Sequence, residues 1–135
     1  MRVLVDTSVW SIVLRRDQPA ASTGREVERL VRQGRIQMLG LIRQELLSGI
    51  RSHQRFAALR QELAQFADLP VASADHERAA ELFNTCRAGG VQGNVVDMLI
   101  CAVSIRHDMD VYTLDRDFES YARFIPLRLH TASQA

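Results

Sequence analysis

The chain has 135 residues, 47% of them apolar and 24% charged, with a formal net charge of +1; it can build a sizeable core and is neither a disordered nor a globally basic, nucleic-acid-coating protein. All 17 Lys+Arg positions are arginine, which excludes a Walker A loop, a lysine-assisted phosphoryl-aspartate site and Schiff-base chemistry, because each needs a lysine. No apolar run reaches membrane-spanning length and the start lacks a signal-peptide pattern, so a cytoplasmic protein folded as one domain over 1–135, apart from its tail "HTASQA", is expected.

Residues 2–5 read as a short buried strand, and Ser8 to Arg15 as a helix carrying Val9, Trp10, Ile12 and Val13. "TGRE" has the spacing of a capping box, Thr23 to Glu26, and opens a helix through Val27, Leu30 and Val31 that Gly34 ends. "IQML" is a strand candidate, followed by a short helix over "LIRQELLSGI" and a longer amphipathic one from about Ser52 to Phe66. An extended segment near "LPVA" precedes a helix from about Asp75 to Arg87, closed by the Gly-rich "AGGVQGN". "VVDMLICAVSI" is apolar nearly all round and predicts a buried central helix. "DVYTL" is a strand, "RDFESYARF" a helical turn or two, and "PLRL" a final strand. Strands separated by helices predict an α/β fold, a three-layer α/β/α sandwich with a parallel sheet.

Cys86 and Cys101 stand alone, without metal-ligand spacing, and read as small buried apolar residues. His53, His76, His107 and His130 are scattered through polar segments. The acids are better placed. Asp6 lies just past the first strand and Asp115 just past "VYTL", and sites in open parallel sheets form outside the carboxyl ends of the strands. Asp97 follows Asn94, a good N-cap, and sits in the first turn of a helix that has no obvious solvated face. It reads either as a capping acid or as a buried carboxylate that needs a partner. Glu45 shares a face with Ile42, Leu46 and Gly49, although a helical Glu is ordinarily a solvated helix former. In "TLDRDF", Asp115 is nearer the strand end, and Asp117 is an outer ligand or a cap.

Converging carboxylates without a lysine or a reactive cysteine point to a hard divalent cation, magnesium or manganese, and to metal-assisted hydrolysis of a phosphodiester. Arg15, Arg16, Arg43, Arg51 and Arg116 lie close in sequence to these motifs and could contact phosphates, or serve as solvated faces and ion-pair partners.

In order and spacing, "VLVDTSVW", "RQELLSG", "VVDMLICA" and "YTLDRDF" resemble the PIN-domain ribonucleases, in particular the VapC-type toxins of bacterial toxin-antitoxin pairs. The resemblance spans nearly the whole chain and implies a PIN-like fold. It places the family's acidic quartet on Asp6, Glu45, Asp97 and Asp115, and its assisting polar residue on Ser8. It implies a Mg2+- or Mn2+-dependent endoribonuclease with water as nucleophile, leaving a 5′-phosphate and a 3′-hydroxyl. It further implies a homodimer held inactive by a small cognate antitoxin. The stripe Phe56, Leu59, Leu63 and Phe66 is a candidate surface for antitoxin or dimer, or else core packing. Two rival readings remain open: a non-cleaving module that binds RNA or antitoxin, and a metal-dependent phosphoesterase acting on DNA or nucleotides.

Overall fold

The structure, a computed structural model, describes residues 1–14 and 21–132. Arg15, Arg16 and the end of the first expected helix lie outside the described residues. The elements follow in the order β1 (Val3–Val5), α1 (Thr7–Val13), α2 (Ala21–Arg32), β2 (Ile36–Gln37), α3 (Gly40–Leu47), α4 (His53–Leu63), α5 (Ser73–Ala88), α6 (Val95–Arg106), β3 (Asp110–Tyr112) and α7 (Asp117–Ala122).

Val3, Leu4 and Val5 are fully buried, as an unbroken apolar strand covered on both faces must be. Each such side chain contributes roughly 1.5–3 kcal/mol through burial. β1 is central: the sheet order is β2-β1-β3 and both pairings are parallel. Parallel neighbours require crossovers, and helices supply them here, giving the expected α/β/α sandwich. Single parallel bridges extend the sheet at either side, Met38 to Asp68 and Val111 to Leu129. The residue just before "LPVA" and the last residue of "PLRL" thus make one bridge each. The expected final strand is shorter than its sequence suggests because only Leu129 finds its register, with Val111 N–H donating to Arg128 O and His130 N–H to Val111 O.

The α2 helix starts at Ala21, so Thr23 and Glu26 lie inside it and form no capping box. Both are buried instead. Glu26 accepts two bonds from Arg29 at 2.9 and 2.8 Å and meets His130 Nε2 at 2.5 Å. His130, in the tail expected outside the fold, is thereby tied to α2. Gly34 does end that helix, at φ 65°, a conformation that favours glycine. Around α6, Met98 to Ser104 are all buried, making it the central helix that its composition predicts. It packs along α5, where Asp75 accepts from Arg106 at 2.5 and 2.9 Å and from Ala72 N–H at 2.9 Å.

On α4, Leu63 is buried and Leu59 packs partly against the core; Phe66, three residues past the helix end, does so too, edge-on to Trp10 at 5.3 Å between ring centroids. For those three residues the stripe is core packing. Among the described residues, no helix is long and apolar enough to cross a membrane.

Candidate functional site

The chain leaves β1 toward β2 on one side and returns to place β3 on the other, so the sheet order reverses at β1. The carboxyl edge beside β1 and β3 is the topological switch point, where such sheets bind ligands. Asp6 stands on that edge as the residue before α1. Its carbonyl accepts from Val9 and Trp10 N–H, but its side chain makes no cap bond and is left for other partners. Asp6 N–H donates to Tyr112 O at 2.8 Å, which locks the ends of the two strands together.

The Asp6 carboxylate is oriented by two hydroxyls. Ser8 Oγ and Thr113 Oγ1 each donate to Asp6 Oδ2 at 2.8 Å. Leu114 N–H donates to Ser8 Oγ at 2.9 Å, and Asp115 N–H to Thr113 Oγ1 at 3.0 Å. Each hydroxyl has one proton, and because a carboxylate oxygen accepts, both protons point at Asp6 while the backbone N–H groups donate to the hydroxyls. The Ser8–Thr113 contact of 3.2 Å is then close packing between two donors aimed at one oxygen.

Asp97 enters from α6. Asn94 caps the helix by accepting from Asp97 N–H at 2.8 Å and donates its amide back to Asp97 Oδ2 at 2.9 Å. Tyr121 on α7 donates to the same Oδ2 at 2.7 Å. Asp97 is 8% exposed, and burial raises its pKa above the usual carboxylate range. The Asp6 and Asp115 charges raise it further, against the opposing effect of Tyr121 and Asn94. That mutual repulsion brings the acids from β1, α6 and the β3 end into one electrostatic group. Burial also holds the Tyr121 hydroxyl well above its usual value, and the bond to Asp97 adds to this, so it remains a donor at neutral pH.

Asp115 accepts from Asp117 N–H through Oδ1 at 2.9 Å, a side-chain turn immediately before α7, whose N-cap position is Arg116. Asp117 lies exposed in the first turn of that helix. Glu45 is also exposed, and reaches the rim of the site by accepting from Thr7 Oγ1 at 2.7 Å. Arg43 is engaged elsewhere. It bonds Asp68 Oδ1 at 3.1 and 2.8 Å, Leu63 O at 3.0 Å and also Phe66 O, fastening α3 to the segment after α4. Arg116 is 90% exposed, with Glu119 at 3.9 Å. It borders a cleft of about 420 Å³ between residues 113–116 and 129–132. Both cysteine thiols are pushed up by burial, which keeps them protonated and unreactive.

Asp6, Asp97 and Asp115 each use one carboxylate oxygen for these bonds. The other oxygen has no hydrogen-bond partner among the described residues. Among those residues no group of three or more His, Cys, Asp or Glu side chains is placed so that together they could hold a metal ion. The oxygens left without partners on Asp6, Asp97 and Asp115 are hard donors, the kind that magnesium takes while retaining several waters.

Sequence reasoning missed Thr113 and Tyr121 as parts of the site. Thr113 falls inside the expected strand "DVYTL", whereas β3 ends at Tyr112 and leaves Thr113 one residue past its end. Tyr121 shares the apolar face of "DFESYA" with Phe118, three residues before it, and nothing local distinguishes it from core.

The sequence matches the PIN domain family over residues 3–124. It is 32% identical over 130 residues to a VapC ribonuclease of Mycobacterium bovis and, equally, to ribonuclease VapC11 of Mycobacterium tuberculosis, covering 93% of this chain and 96% of each relative. Among solved structures, the fold is similar to FitAcB from Neisseria gonorrhoeae, with a TM-score of 0.79, 20% identity, and coverage of 98% of this chain and 99% of that one. It is also similar to VapBC2 from Rickettsia felis bound to a promoter DNA fragment, with a TM-score of 0.77, 18% identity, and coverage of 96% and 98%.

Proposed function

This chain belongs to the PIN-domain family and, within it, to the VapC ribonucleases; from that premise we propose that it is a metal-dependent endoribonuclease toxin of the cytoplasm, neutralised by a cognate antitoxin. The observation that carries the metal reading is the shared arrangement of Asp6, Asp97 and Asp115, each with one oxygen hydrogen-bonded and the other open at the switch point. Magnesium or manganese held there would supply Lewis acidity that activates water and stabilises the leaving oxygen of an RNA phosphodiester.

The residues of the chain divide the remaining work. Asp6, Asp97 and Asp115 hold the ion, with Glu45 and Asp117 at the rim. Ser8 and Thr113 keep the Asp6 carboxylate turned. Arg116 meets the RNA backbone beside Asp115, where an acidic pocket by itself would repel the phosphates. Arg43 has no part in this scheme, because its guanidinium is committed to Asp68 and two carbonyls. A homodimer is the assembly proposed for the free toxin.

The test is incubation of purified protein with total bacterial RNA in magnesium, in manganese and in chelator, alongside Asp6→Ala and Asp97→Asn. Discrete, metal-dependent fragments with 5′-phosphate ends, absent with both variants, are expected. Cleavage that persists in chelator, or in a folded Asp97→Asn variant, would overturn the metal mechanism.

A further inference from the structure

We infer that Tyr121 is a positioning residue that fixes which oxygen of Asp97 faces the cation, and so biases the centre toward a small octahedral ion over a larger one such as calcium. The inference rests on the proposed metal reading and goes beyond it.

Two donors from different elements converge on one oxygen of Asp97, the Tyr121 hydroxyl at 2.7 Å and the Asn94 amide at 2.9 Å. Tyr121 is 1% exposed and its ring lies edge-on to Phe118 at 5.3 Å, so the phenol has one available direction. Its hydroxyl could have been omitted without leaving a polar group unpaired, since the other apolar residues of this face need none. Its effect is on Asp97. With Oδ2 occupied twice, Oδ1 alone is open, and the carboxylate can offer a cation one oxygen unless both donors give way.

Ion chemistry turns that restriction into a preference. Magnesium demands near-ideal octahedral geometry and takes single oxygens from one or two carboxylates, whereas calcium accepts six to eight oxygens and readily takes both from one carboxylate. Loss of the phenol donor weakens the orientation of Asp97, and loss of an outer hydrogen bond of this kind typically costs 10–100-fold in metal affinity or activity. The same loss frees Oδ2 for two-oxygen binding, which favours the larger ion.

The experiment measures binding of manganese and of calcium to wild type, Tyr121→Phe and Asn94→Ser by calorimetry, without RNA. Tyr121→Phe keeps the ring and its packing, and Asn94→Ser keeps a helix-capping acceptor while removing the amide donor. Roughly ten-fold weaker manganese binding in Tyr121→Phe, with calcium affinity changed less and Asn94→Ser shifted in the same direction, is expected. Manganese affinity within two-fold of wild type, or a proportional fall for both ions, overturns the inference. Wild type that binds neither ion overturns the metal reading itself, a failure that is visible before any variant is compared.

Discussion

Thr113→Val removes one hydroxyl and preserves the side-chain shape, so it isolates the bond that joins the ends of β1 and β3. Two hydrogen bonds are lost: a donor at 2.8 Å to the Asp6 carboxylate and an acceptor at 3.0 Å for Asp115 N–H. A hydrogen bond to a charged group contributes about 1.5–3 kcal/mol and a neutral one about 0.5–1.5 kcal/mol. Thr113 is half-buried, so water partly replaces both. The net loss is about 2 kcal/mol, equivalent to a Tm lower by roughly 6 °C for a chain of this size. Metal affinity should fall with it, because Ser8 alone would then hold the Asp6 carboxylate. Thermal melts and manganese titration of wild type, Thr113→Val and Thr113→Ser test this, with Thr113→Ser expected to stay near wild type. Adding Ser8→Ala should show coupling, since both hydroxyls serve the same oxygen. A Thr113→Val protein that matches wild type in both stability and manganese affinity would refute the idea that this hydroxyl organises Asp6.

In chelator, Asp97 should give the protein an inverted pH response. Its proton binds more tightly in the folded chain than in the unfolded one, so its contribution is most favourable in acid. That contribution declines as pH rises from the ordinary carboxylate range to the raised folded value, and stays low at neutral pH. Melts from pH 4 to 7.5 should therefore show metal-free Asp97→Asn more stable than wild type at neutral pH, with the gap closing toward acid; a less stable Asp97→Asn at pH 7 would contradict this. Arg43→Ala should lose about 2 kcal/mol of stability through its charged bonds to Asp68 and two carbonyls, while KM for RNA below the melting range stays unchanged. A raised KM at full stability would return Arg43 to the substrate surface.

Features whose causes are short-range were legible in the residues alone. An unbroken apolar run makes β1 a doubly covered strand, all-round apolarity buries α6, Asn94 caps Asp97 three residues on, and Gly34 supplies the left-handed turn that ends α2. The absence of lysine needed no structure at all, and Asp6 and Asp115 stood out because each follows a strand. Local spacing also misled. "TGRE" has the capping pattern, yet α2 begins earlier, with Thr23 and Glu26 buried and Glu26 held by His130, a partner that the motif does not contain. Tertiary structure alone decided how the acids are used. Thr113 reaches Asp6 across 107 positions and Tyr121 reaches Asp97 across 24. Arg43 is committed to Asp68, 25 positions away. Such pairings depend on parallel strand register and on the path of each crossover helix, which couple residues by position in space. Nothing in the local periodicity of a strand or helix encodes which oxygen of a carboxylate will be left open.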